Sequence, residues 1–159
     1  MSFSKIFKVA GAGLGILAVI MMFLPQVVIH WNLGGTTTLG VSALVGGSYT
    51  KDIAVNYSGV GSGLAGYILV GVAALLFLAC AFIAFFSEHD ILNILAMAVG
   101  IILAIIGTVL LFMIRRNFAG ANGFNSKEVY VGIGAILGGA FASLSGLAGL
   151  IGLSLDFVK

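Results

Sequence analysis

Of the 159 residues, 61% are hydrophobic and only 8% charged, with seven Lys and Arg against five Asp and Glu. A soluble domain uses about 25% charged residues to cover its surface, so this composition excludes a water-soluble fold and points to a chain solvated by lipid. The one cysteine, Cys80, excludes an intramolecular disulfide and a CxxC redox pair.

A bilayer's hydrocarbon core needs about 20 consecutive apolar residues in helical form. Four segments qualify: Val9 to Ile29, Leu64 to Phe86, Ile91 to Ile114 and Val129 to Leu155. They predict an all-α integral membrane protein, a four-transmembrane-helix bundle forming one membrane domain over residues 1–159. The first segment follows Lys5 and Lys8 as a signal peptide would. Its apolar run exceeds the usual 7 to 15 residues of such a signal and no A-x-A-like site follows, so the span is expected to be retained. It carries Gly11 and Gly15 as a GxxxG pair.

The connection from Trp31 to Ser62 is the longest. The runs VSALV and SYTKDIAVNY flank Gly46-Gly47, and Ile53, Val55 and Tyr57 alternate with Ala54 and Asn56 at the strand period. A short β-hairpin over roughly residues 41 to 57 is predicted, with a short helix at Leu39 to Val45 as the alternative reading of the same apolar run. Trp31, Tyr49 and Tyr57 suit a membrane–water interface, where the ring is apolar and its tip wet.

The stretch Gly59 to Gly71, GVGSGLAGYILVG, places Gly61, Gly63 and Gly66 at the G-x-G-x-x-G spacing of a dinucleotide-binding turn. That motif needs a soluble βαβ unit and an acidic residue about 20 positions on; the chain offers AFIAFF there. No nucleotide, cofactor or nucleic-acid partner is expected. The glycines read instead as the exit from the loop, with Ser58 or Ser62 capping the second helix and Ser62 and Gly66 continuing as a helix contact face.

Ser87-Glu88-His89-Asp90 is a tight turn between antiparallel helices, its acids placed at the start of the third. In that helix Ala96, Gly100, Ala104 and Thr108 form a small-residue stripe, and in the fourth Gly134, Gly138, Ala142 and Gly146 form another, with Ala135, Gly139 and Ser143 beside it. Helices in lipid associate by close packing over such residues. The stripes are expected to serve the bundle, and the surplus on the fourth helix leaves room for a second contact. Between these helices, Arg115 and Arg116 suit the end of the helix dipole and phosphate headgroups, and Asn122-Gly123 marks a turn.

No Asp, Glu, Lys or Arg falls in the middle of any span, which disfavours a proton-coupled transporter or an intramembrane protease. Cys80, Thr108, Ser143 and Ser145 supply the polar atoms at depth, expected to bond to their own helix backbones. Glu88, His89 and Asp90 make an incomplete zinc set, and an odd number of spans separates His30 from His89. Catalytic, metal and cofactor sites are therefore all predicted to be absent.

Lys5, Lys8 and Lys159 share one side of the membrane, and Lys51, Arg115, Arg116 and Lys127 the other. A margin of one cannot decide orientation; the dominance of the first helix and the strand character of the first loop place both termini in the cytoplasm. A longer first outer loop with β-structure, a tight inner turn and a shorter second outer loop together resemble the claudin-like tetraspan plan in architecture. The claudin loop motif W…GLW…C…C is matched only by Trp31, so no functional residue carries over. The function expected is a non-catalytic scaffold or accessory subunit that binds other membrane proteins or a second copy; a pore or facilitator for ions, lipids or small neutral solutes is the alternative.

Overall fold

A computed structural model describes residues 3–30, 36–40, 42–50, 54–57, 59–83, 91–123 and 129–158. Its elements in chain order are α1 (Phe3–Ile20, extended by a 3-10 turn, Met21–Phe23), β1 (Val27–His30), β2 (Thr36–Leu39), α2 (Ser42–Val45), β3 (Gly47–Thr50), β4 (Ala54–Tyr57), α3 (Gly61–Phe82), α4 (Ile91–Phe112), α5 (Ile114–Asn122), β5 (Val129–Val131) and α6 (Ile133–Val158). Among the described residues four helices are long and apolar enough to cross a membrane: Phe3–Phe23, Gly61–Phe82, Ile91–Phe112 and Ile133–Phe157. They pack in a ring, α1 on α3, α3 on α4, α4 on α6 and α6 back on α1. The outer surface of the ring stays apolar, with Leu75, Leu95, Val99, Ile102, Ile105, Val109 and Leu147 all exposed.

The fold is not all-α. At one end of the ring β1 lies between β2 and β5 in an antiparallel sheet, with Val28 opposite both Thr38 and Tyr130. This corrects two spans. Expected to run from Val9 to Ile29, the first begins at Phe3 and ends by Phe23. Pro25 lacks an N–H and disfavours helical backbone in the residue before it, and Leu24 is accordingly extended, with φ −87° and ψ 166°. Val27–His30 then continues as a strand. The fourth segment likewise opens with β5, and its helix starts only at Ile133. Gly132 separates the two; a Cβ there would lie 2.3 Å from the Pro25 carbonyl oxygen, so only glycine lets the two connections cross.

The sheet alternates as a half-buried sheet must. Val27, Ile29, Leu39 and Val129 are buried against Tyr67, Ile114 and Phe118, while His30, Thr36, Thr38 and Tyr130 face out. The predicted hairpin exists with a different turn. β3 pairs with β4, Tyr49 opposite Val55 and Gly47 opposite Tyr57, so both strands come from SYTKDIAVNY plus Gly47. The SALV run is instead the helical turn α2, the alternative the apolar run allowed. Ala43 and Leu44 are buried, and the Val60 N–H donates to the Ala43 carbonyl at 2.9 Å, seating that turn on the start of α3.

Residues after the third span, read as a loop, form α5, with Ile114, Phe118 and Ala119 buried on one face. Gly123 ends it at φ +70°, the left-handed conformation that glycine adopts without penalty. The Asn122-Gly123 turn signal thus marks the end of a helix. Trp31 and the turn at Ser87 to Asp90 lie outside the described residues.

Candidate functional site

Polar side chains inside the bundle gather at its two ends. At the end holding the termini, Lys8 of α1, Asn93 of α4 and Asp156 of α6 converge (0%, 0% and 4% exposed), with Ser4 fully buried beside them. Lys8 Nζ lies 2.8 Å from Asp156 Oδ2. Asn93 bridges the pair: its Nδ2 donates to Asp156 Oδ2 at 2.8 Å, and its Oδ1 accepts from Lys8 Nζ at 3.2 Å. The Ser4 hydroxyl lies between Asp156 Oδ1 and the Gly152 carbonyl oxygen, 3.0 Å from the latter. Gly152 permits this approach, since a Cβ there would sit 3.2 Å from Lys8 Cγ.

The sequence reading placed Lys8 and Asp156 just outside the spans as flanking charges. That is corrected: α1 begins five residues before Lys8 and α6 runs past Asp156, so both lie within helices and point inward. A signal was present. Ser4, Lys8, Gly11 and Gly15 recur at helical spacing, as do Gly149, Gly152 and Asp156, so each charge shares the face of glycines that pack inside the bundle.

At the sheet end Gln26 is fully buried. Its Nε2 donates to the carbonyls of Met21 at 2.8 Å and Leu24 at 3.0 Å, adding a second donor to the Met21 oxygen that already accepts the Leu24 N–H and supplying one to Leu24 beyond the end of the helix. Its Oε1 accepts from the Tyr67 hydroxyl at 2.7 Å. Gly134 and Gly138 make room, since a Cβ would meet Gln26 Nε2 at 2.5 Å in one case and the Tyr67 hydroxyl at 2.9 Å in the other.

Between these polar ends the interior is apolar. The ring of Phe77 from α3, fully buried, rests on glycines of the other three helices. A Cβ at Gly11 would lie 3.1 Å from it, at Gly100 2.8 Å and at Gly149 2.5 Å. Ala12, Ala73, Cys80, Met97, Ile101 and Ala104 complete this layer. One polar tie crosses it. Ser145 Oγ donates to the Gly11 carbonyl at 2.6 Å, not to its own helix as expected, whereas Thr108 and Ser143 do bond to their own, at Ala104 and Ala140.

The packing residues named from sequence fall as follows. Gly15 faces Ala74 and Ser145; Gly66 faces Gly107 and Leu110; Gly146 faces Ala104; Gly139 faces the ring of Phe112. Ala142 is fully buried, Ala96 partly so. On α6 the second set of small residues is therefore largely occupied within the chain, and Ser143 alone among them is exposed. Ser62 does not cap α3, whose N-cap is Val60 with no side-chain bond. The helix starts at Gly61, two residues too early for Ser62 to cap it, and Ser62 Oγ accepts from Asn117 Nδ2 of α5 at 3.1 Å. Gly63 packs on Leu44 and Ile114 and Gly66 on α4, while Gly61 is exposed.

Arg115 is half-buried and its Nε donates to the Val129 carbonyl at 2.6 Å, fastening α5 to β5, while Arg116 is exposed. On the outer face of the sheet His30 and Tyr130 meet edge to face, centroids 4.3 Å apart. Tyr49 and Tyr57 sit on the paired strands β3 and β4. Among the described residues no group of three or more His, Cys, Asp or Glu could hold a metal. Comparison with protein-family models and with curated protein sequences gives no match.

Proposed function

We propose that this chain is a multi-pass integral membrane protein of the cell membrane, both termini cytoplasmic, that works as a non-catalytic scaffold or accessory subunit. The observation that carries the reading is the filled centre of the bundle. Phe77 closes on glycines of three helices, and above and below it each buried polar side chain of the described residues has an internal hydrogen-bond partner. A conduit for ions or neutral solutes needs polar groups aligned along a path; the two polar clusters here bond within themselves and to nearby backbone, and the apolar layer between them is crossed by the Ser145–Gly11 bond, itself closed. What stays outward is the sheet face of His30, Thr36, Thr38 and Tyr130 with the β3–β4 hairpin nearby in sequence, a surface suited to a partner membrane protein or a second copy.

Affinity purification from native membranes in mild detergent tests this: a stoichiometric partner or a defined homo-oligomer is expected. A lone monomer, or reconstituted protein that passes ions or a dye across liposomes, would overturn it.

A further inference from the structure

We propose that the exposed phenylalanines mark where the hydrocarbon of the bilayer ends, so that the bundle sits in phospholipid at a depth bounded by two aromatic girdles. This placement rests on the membrane reading above and adds where the boundaries fall. Phe77 gives a common origin, since its ring lies against Gly11, Gly100 and Gly149 and so sets α1, α4 and α6 at one level. Toward the termini, Phe3 and Phe157 each stand eight residues from that level, counted from Gly11 and Gly149. Toward the sheet, Phe23 and Phe112 each stand twelve residues from it, counted from Gly11 and Gly100. All four are exposed. At about 1.5 Å per residue the girdles lie about 12 Å and about 18 Å from the Phe77 level, about 30 Å apart, which is the thickness of the hydrocarbon core. A helix tilt of about 20° shortens this by only about 2 Å. Phe82, also exposed and five residues beyond Phe77, stands inside the slab, about one turn short of the girdle.

Charge and hydrogen bonding agree with these boundaries. The exposed hydroxyls between the girdles, Ser143 and Ser154, donate to their own helix at Ala140 and Leu150, so they present no unpaired donor to acyl chains. Of the charged side chains among the described residues only Lys5 and Arg116 are exposed, one near each girdle and both cations, the sign that phosphate headgroups attract. The same scale accounts for the course of the Lys8 side chain. Lys8 stands three residues from the Phe77 level and Asp156 seven, about 4.5 Å against about 10.5 Å. The Lys8 stem therefore climbs toward the boundary to set its ammonium beside the carboxylate. The sheet and α5 lie beyond the girdle of Phe23 and Phe112, among headgroups and water.

The test is the collision accessibility of single nitroxide labels, placed by cysteine substitution in a Cys80→Ala background and read in liposomes of dioleoyl phosphatidylcholine. Oxygen concentrates in hydrocarbon and a nickel chelate in water. Leu75→Cys, Ile102→Cys and Leu147→Cys each lie two residues sheetward of the Phe77 level, which is the midplane of the proposed slab. They should show the highest oxygen-to-nickel ratio, at least about tenfold above Arg116→Cys, because a polar chelate is excluded from hydrocarbon. Ile6→Cys and Ile20→Cys lie equally far on either side of the midplane and should show equal ratios. All six native residues are exposed, so the labels need no room inside the bundle. A maximum one turn or more away from the three central sites, or Ile6 and Ile20 differing as such a shift requires, would overturn the proposal. Low collision with both probes along one helix would show a second copy covering it and overturn lipid contact on that face. Nickel-dominated collision at the central sites would instead overturn the membrane reading itself.

Discussion

Replacing Phe77 with alanine probes the centre of the bundle most directly. In lipid or detergent the transfer part of the usual cost largely disappears, because the surroundings of the unfolded helices are as apolar as leucine; the cavity part remains. The phenyl ring occupies about 100 Å3, and at about 24 cal/mol per Å3 of residual cavity the loss is about 2.4 kcal/mol. Little collapse can relieve it, since the ring rests on Gly11, Gly100 and Gly149, which have no side chains to move inward. The same geometry fixes the sign of a second substitution. In the native chain Gly149→Ala puts a methyl group 2.5 Å from Phe77 Cζ, an overpacking that costs about 1 to 3 kcal/mol. In the Phe77→Ala background that methyl enters the void and should stabilise. Reversible unfolding in mixed micelles by added SDS measures all four corners of the cycle. A Phe77→Ala loss below about 0.5 kcal/mol, or a Gly149→Ala effect of the same sign in both backgrounds, would refute the packing argument.

Other substitutions separate the remaining ties. Gln26→Leu takes the side-chain donor from the Leu24 carbonyl and the acceptor from the Tyr67 hydroxyl and should cost about 2 kcal/mol in the same unfolding assay, while Tyr67→Phe, which removes one bond from Gln26, should cost about 1. Gly138→Leu drives a side chain into the Tyr67 ring and should abolish folded protein in size-exclusion chromatography, whatever the oligomeric state. Gly123→Val places a branched residue at φ +70° and should cost about 1 to 2 kcal/mol. Arg115→Lys keeps the charge but loses the Nε–H that reaches Val129; hydrogen exchange at the β5 amides should quicken, whereas Arg116→Lys should leave it unchanged.

The number of apolar helices was legible because length and charge depletion decide it together. The strands were not, for a specific reason. VVIH follows the first helix and VYV precedes the last, so each is joined to an apolar run long enough to hide it, and hydropathy cannot distinguish a buried strand from the next turn of helix. Pro25 and Gly132 were the available punctuation. The hairpin was found from the alternation around Val55, and its turn misplaced because Gly46-Gly47 is the stronger turn signal in isolation. Lys8 and Asp156 escaped because charges at span ends ordinarily reach for water; only their spacing from Gly11, Gly15 and Gly149 betrays an inward direction. Tyr67 and Phe77 left no trace beyond their being aromatic, since their role depends on glycines supplied by other helices.

The sheet has a mechanical consequence. Because β1 follows α1 and β5 precedes α6, the two segments are joined to each other by strand pairing at one end, by Ser145 and Gly11 within the bundle, and by Lys8 and Asp156 at the other end. The crossing between strand and helix is itself braced, Gly134 N–H to the Pro25 carbonyl at 2.7 Å and Gly132 N–H to the Gln26 carbonyl at 2.8 Å. Displacing the sheet from the ends of α1 and α6 therefore requires these backbone bonds to break together with the strand pairing.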